Sequence, residues 1–262
     1  MNEYLDFAIK IAQAAGKKLM KNYARAESGE RDSSVTTKFD LLIDKDIRAM
    51  ITGRFPDHSF LSEESGWTNN HSPYVWIVDS IDGTGNYLNH NPFFSVSVAL
   101  WKNGRPVLGV IEAPALMERY VAVKGQGAWL IDIKTGKKRI LKVSAITDLK
   151  NAAMLICGGH SSKRKRLLQV IDQFYARVTS LRKLGSAAIE LAWVASGRAD
   201  AFILPQGRLW DIAAGLLLVR EAGGRILDFS GRPYDLRLMP GRKTIDFVAA
   251  NRKLKLPRKM NY

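Results

Sequence analysis

The stretch Trp76-Ile77-Val78-Asp79-Ser80-Ile81-Asp82-Gly83-Thr84 constrains this chain more than any other segment. An apolar strand runs straight into two carboxylates three residues apart, followed at once by glycine and threonine. Acids this close repel one another, and burying them without a partner is costly. A divalent cation removes both problems. Mg2+ takes hard oxygen ligands in an octahedron and keeps several waters, so a few carboxylates and a phosphate satisfy it. Gly83 lets backbone approach a ligand closely, and Gly83-Thr84 presents N–H groups at a helix start, where anions bind. An Asp-rich surface turn would carry the same acids, but not directly behind a run of apolar residues. Two further segments have the same character. Ser59-Phe60-Leu61-Ser62 ends in Glu63-Glu64, and Leu209-Trp210-Asp211-Ile212-Ala213-Ala214-Gly215 sets an acid at the start of an apolar helix. Alone, Asp211 reads as an N-cap contributing roughly 1 kcal/mol, and Glu63 and Glu64 read as solvated loop charges.

Hydrophobic spacing organises the rest. Leu5, Ala8, Ile9, Ala12, Ala15 and Leu19 recur at i, i+3/i+4, so residues 4–22 form an amphipathic helix. Residues 24–38 are polar and read as a loop or hairpin with Gly29 near its tip. Ile47, Met50, Ile51 and Phe55 share one face of a second helix ending near Pro56. Strands are expected at 59–61, 74–78, 94–100, 107–113, 118–123 and 128–131. After residue 150 strands and helices alternate, with strands at 153–157 and 201–204 and helices at 163–177, 186–196 and 212–222. Gly223-Gly224 stops the last helix. The pattern divides the chain into an α+β part, residues 1–145, carrying most of the acids, and a basic α/β part, residues 146–262, carrying Asp211.

Composition narrows the partners. Of 262 residues, 46% are hydrophobic and 25% charged, enough apolar mass for one large core or two fused ones. No apolar run approaches the ~20 residues of a bilayer span, and a membrane is not expected as a partner. The N-terminus lacks the form of a secretory signal, and a single cysteine, Cys157, fits a reducing compartment, so a cytoplasmic location is expected. The net charge of +15 is uneven: residues 1–131 hold 14 basic and 15 acidic side chains, residues 132–262 hold 26 and 10. A basic half suits a nucleic acid, a membrane surface or a phosphorylated metabolite, or is simply a solvated surface. Arg242, Lys243, Arg252, Lys253, Lys255, Arg258 and Lys259 crowd the last 21 residues, yet no RNA-binding motif or series of stacking aromatics accompanies them. His58, His71 and His90 read as loop residues, and His160 sits in a loop that would face substrate. Cys157 reads as a small buried hydrophobe.

Taken together, Glu63-Glu64, the Asp79-x-Ile81-Asp82-Gly83-Thr84 core and Trp210-Asp211-Ile212-Ala213-Ala214-Gly215 resemble the inositol monophosphatase family, the magnesium-dependent, lithium-sensitive phosphatases. Asp40-Leu41-Leu42-Ile43-Asp44-Lys45-Asp46, Lys124-Gly125-Gln126-Gly127-Ala128-Trp129, Gly185-Ser186-Ala187-Ala188 and Glu221-Ala222-Gly223-Gly224 fall in the same order, so the resemblance covers nearly the whole chain. It implies a layered αβαβα sandwich of the inositol monophosphatase / fructose-1,6-bisphosphatase type, a homodimer, and a site for two to three Mg2+ ions. By the same resemblance Glu63, Asp79 and the Ile81 carbonyl hold the first ion, and Asp79, Asp82 and Asp211 hold the second. A third lies near Glu63, held mostly by water. Thr84 orients the nucleophilic water with Asp46 as its acidic partner. The backbone of Gly83 and Thr84 binds phosphate, and Gly185, Ser186 and Ala187 match the loop that approaches the substrate, with Asp82 and Asp211 beside it. The implied reaction is hydrolysis of a small phosphate monoester, inositol 1-phosphate or a related sugar phosphate, without a covalent enzyme intermediate.

The sequence departs from the family pattern at defined places. Ser80 stands where a proline is usual and Ile43 where a threonine is usual. Lys38 is the nearest match to an upstream lysine, and the stretch between Glu64 and Asp79 is short. Leu204 replaces the glutamate that hydrogen-bonds the sugar alcohol in inositol-preferring relatives, and a site without that acceptor discriminates poorly among polyols. Asn86-Tyr87 looks more like the inositol and fructose-bisphosphate branch than the nucleotide 3′-phosphatase branch. Arg208, Lys163, Arg164, Lys165 and Arg166 are candidates to meet a second phosphate. Fructose 1,6-bisphosphate and 3′-phosphoadenosine 5′-phosphate are the alternative substrates. Association with RNA or the transcription machinery, as among some bacterial members, is the alternative use of the basic half.

Overall fold

In the computed structural model, residues 2–23, 33–158, 164–237 and 244–257 are described. Helices α1 (Asn2–Tyr23) and α2 (Ser33–Arg54) come first. An eight-stranded sheet follows: β1 (Ser59–Ser62), β2 (Gly66–Thr68), β3 (Tyr74–Asp82), β4 (Ser95–Lys102), β5 (Arg105–Ala113), β6 (Glu118–Val123), β7 (Gly127–Asp132) and β8 (Lys138–Ile140). The short helix α3 (Thr84–Leu88) leaves the end of β3. The strands lie in the order β2-β1-β3-β4-β5-β6-β7-β8, all neighbours antiparallel except β1 and β3. A second sheet contains β9 (Ala153–Ile156), β10 (Ser180–Arg182), β11 (Ala201–Gly207), β12 (Arg225–Leu227) and β13 (Ile245–Ala250), in the order β10-β9-β11-β13-β12. Helices α4 (Arg164–Tyr175), α5 (Ala187–Ala195) and α6 (Leu209–Glu221) interrupt its strands in sequence.

The two-residue side-chain period of the strands produces the layers. Trp76 and Val78 of β3 join Val96, Val98 and Leu100 in a core closed by α1 and α2. Val75, Ile77, Ala99 and Trp101 face the other way, into a core that contains most of α5 and α6. On the far side of these helices that same core includes Leu155, Phe202, Phe247 and Ala249 of the second sheet. Met154, Ile156, Ile203 and Val248 then point outward, where Val170 and Phe174 of α4 cover them. The result is the expected αβαβα sandwich. Helix α6 is apolar nearly all round because it lies between two sheets. Among the described residues no helix is long and apolar enough to cross a membrane.

Two expectations need correction. Of the 24–38 loop, residues 24–32 lie outside the described residues, but 33–38 are helical and belong to α2. The buried positions Asp40, Ile43, Asp44, Ile47 and Ile51 recur at helical spacing, so α2 presents a stripe containing two acids. Strands β2, β8, β10, β12 and β13 carry no signal in the hydrophobic pattern. Four have only three residues, and β13 (Ile-Asp-Phe-Val-Ala-Ala) lacks clean alternation because it is central and covered on both faces.

Helix α6 seats on a glycine of the sheet. A Cβ at Gly109 of β5 would stand 2.8 Å from Ala214 Cα and 2.9 Å from the Ala214 carbonyl oxygen. Gly109→Ala should therefore cost about 1–3 kcal/mol, the usual scale of overpacking. It should appear as a lower urea midpoint at unchanged m-value. Gly53→Ala on α2, where nothing lies within 4 Å of the new carbon, should hold or raise the midpoint.

Candidate active site

The parallel pairing of β1 with β3 brings the first two acids together. Ser62 lies opposite Val78, so Glu63, just past the end of β1, comes beside Asp79, which is still within β3. A β-bulge then places the third. Asp79 pairs with Ser97 and Asp82 with Ser95, three residues of β3 spanning two of β4. In a regular strand, residues three apart face opposite sides. The extra residue lets Ile81 join Trp76 and Val78 in the α1/α2 core, while Asp79 and Asp82 both turn toward α5 and α6. At the bulge, the Ser80 hydroxyl donates to the Asp40 carbonyl of α2 at 3.4 Å.

Asp211 arrives in the first turn of α6, where the helix dipole favours an acid. Carboxylate oxygens of Glu63, Asp79 and Asp211 lie within 4.8 Å of one another. Burial, and then the charges of Asp211, Asp82, Glu63 and Asp40, push the Asp79 carboxyl well up. Asp211 is raised by burial and then by Asp82 and Glu63, against the opposing charge of Arg208. Burial moves Asp82 up to about 6, held back by hydrogen bonds from Ser186, Ala188 and Ala187. Asp82 Oδ2 accepts from Ser186 Oγ at 2.5 Å and from the Ala188 N–H at 2.8 Å, and Oδ1 from the Ala187 N–H at 3.2 Å. Hard oxygen donors at this spacing, crowded enough to be protonated when alone, fit Mg2+ well. Nearby, Thr84 Oγ1 donates to the Ile81 carbonyl at 2.9 Å, and Asp79 Oδ1 accepts from the Ile81 N–H at 3.0 Å.

Asp82 and Asp211 line a cleft of about 630 Å3 together with Gly83, Thr84, Gly185 and Ala187. Leu204, Pro205 and Cys157 form an apolar part of its wall, and Lys183 and Arg208 supply cations. Arg208 Nη1 approaches Glu63 Oε1 at 3.3 Å. Cys157 is half-buried, packing against the core around α5 and α6 while also lining the cleft. Asp46 is not brought to the cluster: it is half-exposed on α2 and paired with Lys18 of α1. Asp44, 1% exposed, faces inward instead and accepts from Ser65 Oγ. Asp40, equally unforeseen, is pushed up to about 8 by burial and by Glu64, Glu63 and Asp44. Their signal in the sequence is the i, i+4 spacing of two acids within an apolar helical stripe.

His58 accepts from Trp76 Nε1 at 3.1 Å and stacks on Phe55 and Tyr74. His71 and His90 occupy left-handed turn positions, at φ 56 and 55. His160, Lys163, Arg242, Lys243, Arg258 and Lys259 lie outside the described residues, as do the side chains of Arg164 and Arg166. Lys165 is exposed on α4.

A family model described as the inositol monophosphatase family matches residues 1–256. The chain belongs to the inositol monophosphatase family. It is 34% identical over 257 residues to a Nus factor SuhB of Xylella fastidiosa, covering 95% of this chain and 90% of that protein. It is 36% identical over 232 residues to a fructose-1,6-bisphosphatase/inositol-1-monophosphatase of Thermotoga maritima, covering 87% and 86%. The crystal structure of the extragenic suppressor protein suhB from Bartonella henselae matches with a TM-score of 0.81 at 31% identity, over 96% of this chain and 95% of that one. Inositol monophosphatase family proteins therefore supply both the sequence pattern and the layered fold seen here.

The raised carboxyls make stability depend on pH in a defined direction. Asp82 titrates at about 6 in the folded chain against 3.8 for the free group. Between those values the native state holds a proton that the unfolded state has released, so stability is lost as pH rises through about 6. Asp79 and Asp211 act in the same sense. The metal-free protein should melt at a lower temperature at about pH 7.5 than at about pH 5, and saturating MgCl2 should raise the melting temperature far more at the higher pH. Thermal scans with and without the salt check both signs.

Proposed function

We propose that the protein is a cytoplasmic Mg2+-dependent phosphoric monoester hydrolase, acting on inositol 1-phosphate or a related sugar phosphate, and working as a homodimer. The observation that carries the reading is the convergence of Glu63, Asp79 and Asp211 oxygens within 4.8 Å, with Asp211 and the neighbouring Asp82 lining the cleft. Membership of a family containing phosphatases supports it. Glu63, Asp79 and the Ile81 carbonyl would hold one ion, and Asp79, Asp82 and Asp211 a second, with a third near Glu63. The chemistry supplied by Mg2+ in such a site is acidification of an attacking water and neutralisation of charge on the phosphoryl group.

The chain's own groups do the orienting. The Thr84 hydroxyl proton is engaged by the Ile81 carbonyl, which leaves its oxygen as an acceptor that fixes the direction of the attacking water. Gly83 has φ 93, and a Cβ there would lie 2.7 Å from the Phe93 carbonyl oxygen. Only glycine therefore keeps the backbone close enough for the Gly83 and Thr84 N–H groups to hold phosphate. Gly185, Ser186 and Ala187 bound the space left for the alcohol. Leu204 is packed against Gly207, whose Cβ would stand 2.4 Å from Leu204 Cδ2. It offers no acceptor to a polyol, so selectivity for inositol over other sugar alcohols should be low.

A second substrate reading rests on Lys183 and Arg208, which place two cations on the cleft walls. They favour a substrate with a second anionic group, of which fructose 1,6-bisphosphate and 3′-phosphoadenosine 5′-phosphate are examples. The double name of the Thermotoga maritima relative supports this reading. Association with transcription complexes or RNA is supported by the relatives named Nus factor and by the basic second half. Nucleic-acid binding would then fall steeply with salt.

Phosphate release from inositol 1-phosphate and the two bisphosphates, with Mg2+ and with EDTA, tests these readings. Activity should vanish in EDTA. Asp79→Asn, Asp82→Asn and Asp211→Asn should each lose more than the roughly 10–100-fold typical of changes one shell further out. Full turnover by Asp82→Asn at wild-type Mg2+ demand would refute the ligand assignment.

A further inference from the structure

Two carboxylates grip one short loop from opposite ends. Residues 183–186 join β10 to α5, and Lys183, Leu184 and Gly185 line the cleft with Gly83. Asp82, from the first sheet, binds the loop's far end through Ser186 Oγ and the N–H groups of Ala187 and Ala188. Glu190, one turn into α5, reaches back past the N-cap Ser186. Its Oε1 accepts from the Leu184 N–H at 2.7 Å and from the Gly185 N–H at 3.4 Å. The side chain is wholly buried, at 0% exposure. Most of the loop's backbone donors are thus spoken for by one acid or the other. The Ser186 hydroxyl, while donating to Asp82, also accepts from the Ile189 N–H at 3.3 Å.

The loop is tied to the phosphate end of the cleft as well. The Leu184 carbonyl accepts from Asn86 Nδ2 at 2.8 Å, and the same nitrogen donates to the Phe93 carbonyl at 2.6 Å. Gly185, at φ 87, lies so close to Asn86 that a Cβ would stand 3.1 Å from Nδ2. A Cβ on Gly83 would meet Ser186 Cβ at 3.2 Å and the Gly185 carbonyl oxygen at 3.3 Å. With contacts this tight, a displacement of Leu184 and Gly185 is passed on to Gly83, Asn86 and the hydroxyl that orients Asp82.

We infer that Glu190 is a positioning residue of this site: by anchoring Leu184 and Gly185 it aims the Asp82 carboxylate at the cation and fixes the wall that the leaving alcohol meets. The inference rests on the phosphatase reading for its substrate half and on the acid geometry alone for its metal half. Glu190 is not among the acids whose oxygens converge, Glu63, Asp79 and Asp211. An ordinary capping role for Glu190 would stabilise α5 without affecting metal or substrate.

Three variants test it. Glu190→Gln keeps an acceptor for the Leu184 N–H, Glu190→Leu removes it at similar volume, and Glu190→Asp withdraws it by one methylene. Mg2+ binding is followed by calorimetry without substrate, and KM and kcat by phosphate release. Glu190→Leu should raise the Mg2+ dissociation constant and KM by roughly 10–100-fold, with a smaller change in kcat at saturation, and Glu190→Gln should restore both to within about threefold. If Glu190→Leu does not fold, Glu190→Asp should show the same two effects in weaker form. A folded Leu or Asp variant that only melts earlier, with wild-type Mg2+ affinity and KM, overturns the inference. Failure of the wild-type protein to release phosphate would instead overturn the phosphatase reading, and the calorimetric comparison would still decide the role of Glu190.

Discussion

Like charges held together at the end of a cleft set the terms for the structure around them. Two carboxylates about 4 Å apart repel by roughly 4 kcal/mol at an effective dielectric near 20, and Asp79 feels Asp211, Asp82, Glu63 and Asp40 at once. Ordinary loops would relieve this by moving apart. Here the acids cannot move, because each is the first polar residue beyond something fully buried: Val78 before Asp79, Ser62 before Glu63, Ile212 after Asp211. The packed layers hold the strand ends and the start of α6 in place, so only protons or a cation can answer the repulsion. A rigid scaffold carrying an unsatisfied charge is what pre-organisation of a metal site requires.

The layers also explain why the site needs both parts of the chain. Asp79, Asp82 and Glu63 come from the near-neutral part, and Asp211, Lys183 and Arg208 from the basic part. They meet because α5 and α6, contributed by the second part, pack on the sheet of the first. One cleft is therefore lined both by acids, Asp82 and Asp211, and by cations, Lys183 and Arg208. Such an arrangement draws an anion in and holds a cation beneath it.

Much of this is legible in the sequence, and the reasons for the remainder are physical. The motifs carrying Glu63, Asp79, Asp82 and Asp211 are readable because a strand with an apolar run rarely ends in clustered acids unless a cation offsets their charge. Helices α1 and α6 and strands β3 to β7 follow from periodicity. The inward turn of Asp44 in place of Asp46 is not readable, because it depends on α2 being helical from Ser33, and the polar residues there signal a loop. The apolar neighbours of Cys157 point to the core, but it follows the last residue of β9, where the cleft opens. Glu190 is invisible for a different reason. A glutamate inside an apolar helix gives no local hint that its partners lie behind the helix start.

The bulge in β3 gives the chain an uneven tolerance of change. Position 80 lies in the bulge, outside the register pairs that flank it, and its side chain makes one long hydrogen bond. A residue there need not donate to the ladder, so a proline would be as acceptable as the serine present. Its presence is another matter. The extra residue is taken up by the bulge, and a straight ladder of the same length would turn Asp82 to the face of α1 and α2, away from Ser186, Asp79 and Asp211. Along this segment the identity of residue 80 is free to drift while the bulge is not, so the irregular register is a more telling mark of a shared site here than the residue it contains.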